Sequence, residues 1–365
     1  MPSMQPLTAD RYRWIVGIDT HAATHSYAIL DTTTGRITDQ QTFPTHPAGL
    51  ARALDWIGRR TSTGPDQVLI SAECTGSYGA TIADRLTGAG YRVTEAPTPH
   101  RAGGPKTDPI DAVAAASSAA AALMSRLRDW RSGQTGQGLE VLTCAREQMN
   151  HERSAAICTL TGLLRRFDLG ADARHTLTGT QIAEVARWRE RAGDRIGEAT
   201  ARAEAVRLAR RVTDLDAQLK TNLAAIDGLV GAVAPELLDL FGVGPVSAAV
   251  IISAWSRPGR IRSEAGFAAL AGVSPVAASS GKTVRYRLNR GGDRRLNAAL
   301  YRIVMTRARG DQATREYVER RTRQGRTRTE IWRCLKRYVA RSIWRLLNRA
   351  HPVCADEPAQ VVAAA

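Results

Sequence analysis

The chain has 365 residues, a formal net charge of +16 and a pI near 10.5; it is long enough for two or three unstapled domains, and its charge points to a polyanionic partner, nucleic acid first. No apolar run approaches the ~20 residues of a membrane span and no signal-like apolar region opens the chain, while five scattered cysteines without a C-x-x-C pair suggest neither a zinc site nor disulfides and fit a cytoplasmic protein. Of the 51 basic residues only Lys106, Lys220, Lys282 and Lys336 are lysines, and the arginine majority suits bidentate phosphate contacts, although a GC-rich genome would give the same bias.

Trp14 to Ile18 reads as a short buried strand and Ser26 to Leu30 as a second. Thr32-Thr33-Thr34-Gly35 then turns the chain into Arg36 to Phe43. Leu50, Leu54 and Ile57 recur at helical spacing between Pro47 and Arg60, followed by a strand from Gln67 to Ala72, a helix from Gly79 to Gly88 and a strand from Tyr91 to Ala96. The order βββαβαβ predicts a mixed sheet with helices on its faces, an α/β domain as in RNase H.

Acidic residues fall where such a sheet gathers them. Asp19 ends the first strand, Glu73 ends the fourth, and Asp108-Pro109-Ile110-Asp111 opens an alanine-rich helix running to about Met124. Each has a plain structural role open to it: Asp19 as a turn cap, Glu73 as a surface residue, Asp108 and Asp111 as an ordinary helix start. Together, in this order of elements, four carboxylates would repel unless cations lay among them, which favours a Mg²⁺ site able to stabilise charge in phosphoryl transfer. His21 and His25 read as polar packing or solvent-facing groups. Pro97 to Lys106 reads as a loop whose His100, Arg101 and Lys106 are either phosphate contacts or plain surface.

Leu139 to Phe167 is helical and is placed against the first domain. From Gln181 to about Val230 a long charged helix carries Ala205, Leu208, Val212, Leu215, Leu219, Asn222, Ile226 and Leu229 three and four apart, a coiled-coil seam that favours a dimer over an internal helical hairpin. Leu237 to Trp255 reads as a helix-hairpin-helix in which the Gly242 and Gly244 amides hold a phosphate, or as a turn used only for packing.

Residues 281–350 carry 21 Lys and Arg against five Asp and Glu, a surplus equal to the whole chain's net charge. Arg333, Arg337, Arg341 and Arg345 recur every four residues there, a stripe without carboxylate partners that is best explained by a nucleic-acid backbone. Tyr286, Tyr301, Tyr338 and Trp344 are either base-stacking or core aromatics. Just upstream, Ser279 and Ser280 stand beside Lys282, Arg285, Arg287, Arg290 and Arg294; they make a flexible turn on a DNA-gripping surface or a nucleophile facing phosphate, and the distant carboxylates weigh toward the latter.

These residues resemble the DEDD transposases of the insertion-sequence 110 family. The likeness rests on Gly17-Ile18-Asp19, Ala72-Glu73-Cys74-Thr75-Gly76-Ser77-Tyr78 and Lys106 to Ala112, then Gly242-Val243-Gly244-Pro245, Phe267 to Pro275, Ser279-Ser280-Gly281 and Asn289-Arg290-Gly291-Gly292-Asp293. It implies an RNase H-like domain of the RuvC type over 1–180, a coiled coil over 181–230 and a helical transposase domain over 231–354; the terminal stretch over 355–365 reads as a disordered tail from its position. Asp19, Glu73, Asp108 and Asp111 match the family's metal-binding tetrad, and Ser280, directly before Gly281, its nucleophilic serine. The implied activity is DNA recombination that mobilises an insertion sequence, guided by an element-encoded bridge RNA, in homodimers that pair into tetramers. Two rivals are a junction-resolving nuclease that uses metal-activated water and a domesticated, non-catalytic nucleic-acid-binding protein.

Overall fold

The computed structural model describes residues 6–97, 108–277, 286–287, 289 and 291–351. They separate into two compact units, one running up to Ser132 and taking in Trp255–Arg262, the other made of Gly133–Ala254 and Ser263–His351.

The first unit contains α1 (Thr8–Arg11), β1 (Trp14–Thr20), β2 (Thr24–Asp31), β3 (Arg36–Pro44), α2 (Pro47–Thr61), β4 (Val68–Ala72), α3 (Ala80–Gly88), β5 (Arg92–Glu95), α4 (Asp108–Ala120) and β6 (Arg128–Asp129). The strands form one sheet in the order β3-β2-β1-β4-β5-β6. β1 pairs antiparallel with β2 and parallel with β4, and β4 pairs parallel with β5, so the expected mixed sheet is present.

Side chains alternate across β1, which sets the site's position. Val16 and Ile18 join the core with Tyr27, Trp56, Ile70 and Ile82 under α2 and α3. Ile15 packs on the other face with Leu69, Ala116 and Ala119 of α4. Ala112, Ala115, Ala116 and Ala119 are all buried, and this methyl-only face lets α4 lie almost on the β1 backbone. A Cβ on Gly17 would sit 2.0 Å from the Ala112 carbonyl oxygen. Trp255–Arg262 is built into this unit through Arg260, whose guanidinium donates to the Asp129 carbonyl at 2.8 Å and to Glu95 at 3.1 Å.

The second unit is largely helical: α5 (Gln134–Arg166), α6 (Gly179–Val185), α7 (Ile196–Val233), α8 (Pro245–Trp255), α9 (Glu264–Leu270), α10 (Arg294–Gly310), α11 (Gln312–Arg323) and α12 (Arg328–Ala350), with short strands β7 (Val276–Ala277) and β8 (Tyr286–Arg287). Three sequence expectations change here. The single helix expected from Gln181 is two, because Gly193 adopts φ +96° and the chain restarts at Arg195, whose backbone amide donates to the Glu198 carboxylate in the first turn of α7 at 3.0 Å. The seam from Ala205 to Ile226 is covered within the chain: α5 lies along α7, Asn222 donates to the Leu142 carbonyl at 2.9 Å, and Arg146 donates to the Leu219 carbonyl at 2.8 Å. The polar seam position is therefore an internal register pin, and the seam no longer argues for a dimer. At Leu237, where the first helix of a hairpin motif was expected to begin, a 3-10 turn, Pro235–Leu237, ends, and residues 238–242 form turns before α8.

Candidate functional site

β1 and β4 run parallel with Ile18 opposite Ala72, and the Glu73 amide donates to the Ile18 carbonyl at 3.0 Å. Asp19 and Glu73 therefore leave adjacent strands at the same edge. Ser71, two residues before Glu73, donates its hydroxyl to the Ala115 carbonyl of α4 at 3.0 Å, and Asp19 shares the face of Gly17, which also abuts α4. The start of that helix supplies Asp108 and Asp111.

His21 links two of the acids. Its Nε2 lies 3.0 Å from Asp19 Oδ2 and 3.4 Å from Asp108 Oδ1, and ligand atoms of the three residues fall within 4.8 Å of one another. Asp19 is 5 % exposed. Burial raises its pKa, Asp108 and Asp111 push it the same way, and His21 pulls it down. A buried acid destabilised by its own neighbours is an arrangement that a divalent cation would relieve, and the carboxylate oxygens are hard ligands suited to one. Asp111 thus reaches Asp19 electrostatically; Glu73 is placed beside it by its backbone and is half-buried.

The turn after Glu73 is held by its own backbone. Cys74 adopts φ +45°, and its carbonyl accepts from the Ser77 and Gly79 amides at 2.9 and 3.1 Å. A non-glycine residue there stores strain of order 1 kcal/mol or more next to the carboxylates. The sequence reading missed His21 by treating it as polar packing or a solvent-facing group. Its signal was available: two residues beyond Asp19, it falls on the same face of the extended chain. His25 belongs to the opposite face, fully buried beside Tyr27, where burial lowers its pKa.

In the second unit Gly242 adopts φ +85°, and a Cβ there would lie 3.1 Å from the Ile303 carbonyl oxygen of α10, so this glycine is required for close packing. Gly244 stands in open space ahead of α8. Arg294 is exposed at the start of α10, which Asp293 caps through the Leu296 amide at 2.9 Å.

The arginine stripe of α12 is not unpartnered. Glu264, in the first turn of α9, accepts from Arg341 at 2.8 Å and lies 3.3 and 3.4 Å from Arg337 and Arg345. These guanidiniums, Arg341's hydrogen bond first, hold the Glu264 carboxyl below its ordinary range. The expectation failed because it counted charge only along residues 281–350, and the neutralising acid comes from a helix outside that range. Arg333 turns elsewhere, into a cavity with Arg294, Arg328 and Lys336.

Arg287 lies on β8. Ser279, Ser280, Lys282, Arg285 and Arg290 lie outside the described residues, as do His100, Arg101 and Lys106 and the tail from residue 352.

Comparison with known proteins gives three likenesses. Residues 16–168 match a transposase model of the DEDD type named for IS110, and residues 234–319 match the model described as the transposase IS116/IS110/IS902 family. An uncharacterised 43.6 kDa protein of insertion element IS110 from Streptomyces coelicolor is 30 % identical over 126 residues, which is 34 % of this chain and 31 % of that protein. The match thus spans about a third of the curated relative's length.

Proposed function

The chain belongs to the IS116/IS110/IS902 family of transposases, and from that premise we propose that it is a DNA recombinase that cleaves and rejoins strands to move an insertion sequence. The observation that carries this reading is the meeting of Asp19 and Asp108, far apart in sequence, around His21 at one sheet edge. The strand order β3-β2-β1-β4-β5 supports an RNase H-like fold of the RuvC type for the first unit. The domain division proposed from the sequence, with metal chemistry N-terminal and a basic helical domain C-terminal, accompanies that reading.

Asp19 and Asp108, with Glu73 and Asp111 beside them, would hold Mg²⁺. Such a cation supplies Lewis-acid neutralisation of the charge that develops on phosphate oxygens. His21 orients Asp19 through their 3.0 Å contact. Ser280, inside the segment that matches the family model, acts as the nucleophile. Its Oγ forms a bond to the scissile phosphorus, the bond to one deoxyribose oxygen breaks with its electron pair, and that oxygen takes up a proton as the serine proton is released. Attack by a hydroxyl of a second strand reverses these changes and frees the serine. Lys282, Arg285, Arg287, Arg290 and Arg294 offset the phosphate charge. A bridge RNA as target guide, and a homodimer pairing into a tetramer, complete the proposal by resemblance.

The test is a labelled DNA bearing element ends, incubated with protein and Mg²⁺ and then denatured. Wild type and Ser279→Ala should give a covalent protein–DNA adduct, and Ser280→Ala should bind DNA without forming one. An adduct persisting in Ser280→Ala removes the nucleophile assignment, whereas undiminished cleavage without any adduct favours the resolvase chemistry.

A further inference from the structure

Beneath the start of α12, the second unit contains a cavity of about 870 Å³, within the range of roughly 300–1,000 Å³ typical of ligand sites. Four cations line it, Arg294, Arg328, Arg333 and Lys336, and no carboxylate is among its described lining residues. Two aromatic side chains join them, Tyr301 from α10 and Trp332 from α12. Like charges gathered around a hollow repel one another, and this second unit elsewhere neutralises such a cluster with Glu264. The hollow therefore favours an anionic occupant.

The aromatic groups narrow the choice of anion. Tyr301 is 44 % exposed, unusual for a large side chain on a packed helix, and so offers a ring face. The Arg328 guanidinium lies 4.9 Å from the centroid of the Trp332 ring, a cation–π contact that uses none of its N–H donors. Trp332 Nε1 is buried and has no acceptor among the described residues. Lys336 donates to Asn297 at 2.9 Å, spending one of its three N–H groups, and burial together with nearby Arg333 lowers its pKa, a cost that a bound anion would offset. Gly272, Asn289, Arg333 and Lys336 also line an adjoining recess of about 230 Å³ that reaches Ser274 and Pro275.

We propose that this cavity binds one unpaired nucleotide of a single strand, its base stacked on Tyr301 and its phosphate held by Arg294, Arg328 and Arg333. Cationic grooves with exposed aromatic platforms suit single strands because every base has a stacking face. A base within a duplex is already stacked and cannot enter. The source of the strand, DNA or RNA, is left to the probe. The inference stands on the cavity alone and survives if the serine chemistry fails, since its test is binding.

The experiment measures affinity of the full chain for fluorescein-labelled dT12, rU12 and a 12-base-pair duplex at fixed salt. Tyr301→Ala should weaken single-strand binding by about tenfold, the stacking contribution of one base, while leaving duplex affinity within about twofold. Tyr301→Phe should restore it, and Arg328→Ala should weaken both dT12 and rU12 more than Arg315→Ala, a charge loss outside the cavity. Whichever of dT12 and rU12 binds more tightly names the source. In a parallel arm, photocrosslinking of a 5-iodouracil oligonucleotide should map to Tyr301 or Trp332. Unchanged single-strand affinity in Tyr301→Ala, an equal loss for the duplex, or a crosslink confined to other regions would each overturn the proposal.

Discussion

The carboxylate edge of the first unit and the basic helices of the second hold their charges by different means. At the edge, short side chains project from regular backbone: Asp19 from the end of β1 and Asp108 and Asp111 from the first turn of α4. Their meeting follows from strand pairing and from the close fit of α4 on Gly17. In the second unit, long arginines reach their partners across helices, as Arg337, Arg341 and Arg345 reach Glu264. Charge set by backbone is costly to relieve and stays poised for a cation, whereas charge on flexible stems finds an internal partner wherever one is in reach.

The sharpest way to break this contrast is at Asp19. Asp19→Asn keeps the shape and removes the buried charge, so Mg²⁺-dependent strand cleavage should fall on the order of 10³-fold, the scale of several kcal/mol of lost charge stabilisation. Binding of Mn²⁺, followed by isothermal titration, should weaken in parallel. DNA affinity should hold or rise, since a negative charge has gone. If affinity for DNA collapses while cleavage per bound complex is retained, the edge grips DNA and does not serve the chemistry.

A smaller effect tests whether backbone contact sets the edge. A Cβ at Gly17 would lie 2.0 Å from the Ala112 carbonyl oxygen and 2.5 Å from the Ala116 amide nitrogen, both backbone atoms that cannot swing aside. Gly17→Ala should therefore cost about 1–3 kcal/mol as overpacking does, lower the melting temperature and weaken Mn²⁺ binding as the start of α4 is pushed from β1. Gly244→Ala, with open space around its Cβ, should stay within about 0.5 kcal/mol of wild type. Equal melting temperatures for the two variants would mean that α4 tolerates displacement.

The same contrast governs what could be read in the sequence. Strand alternation and the order βββαβαβ located Asp19 at the first strand's end and Asp108 and Asp111 at a helix start, because short-range patterns fix which way such residues point. The alanine-rich character of that helix was legible as well, whereas the buried face of Ala112, Ala115, Ala116 and Ala119 emerges only from its packing on the sheet. His21 was missed because it was read as polar packing or a solvent-facing group, although its parity with Asp19 put it on the same face. The salt bridges of Glu264, and the covering of the α7 seam by α5, depend on which helices pack together, and no local period reports that. Asn222, read as the polar position of a dimer seam, accordingly proves to be a hydrogen-bonding partner within one chain.

The smallest effect lies at Glu264 and concerns how tightly the arginine stripe is committed. Arg341's hydrogen bond, reinforced by the charges of Arg337 and Arg345, depresses the Glu264 pKa below its ordinary value of 4.5. A folded pKa below the unfolded one contributes stability that is fully present above the unfolded value and is lost as pH falls through the folded value. Wild type should therefore lose stability through that acid window more steeply than Glu264→Gln, which has no such group to protonate. At neutral pH the variant should melt slightly lower and leave three guanidiniums without their shared carboxylate. Those arginines then become available to phosphate, so log K for duplex DNA against log salt should steepen by about one unit, roughly the release of one further counterion. Arg333→Ala, which leaves Glu264's partners intact, should make the corresponding slope for a single strand such as dT12 shallower by a similar amount. Were Glu264→Gln to change neither the acid limb nor the salt slope, the three arginines would be shown to act independently of the carboxylate they surround, and the distinction between backbone-set and partner-set charge would lose its second half.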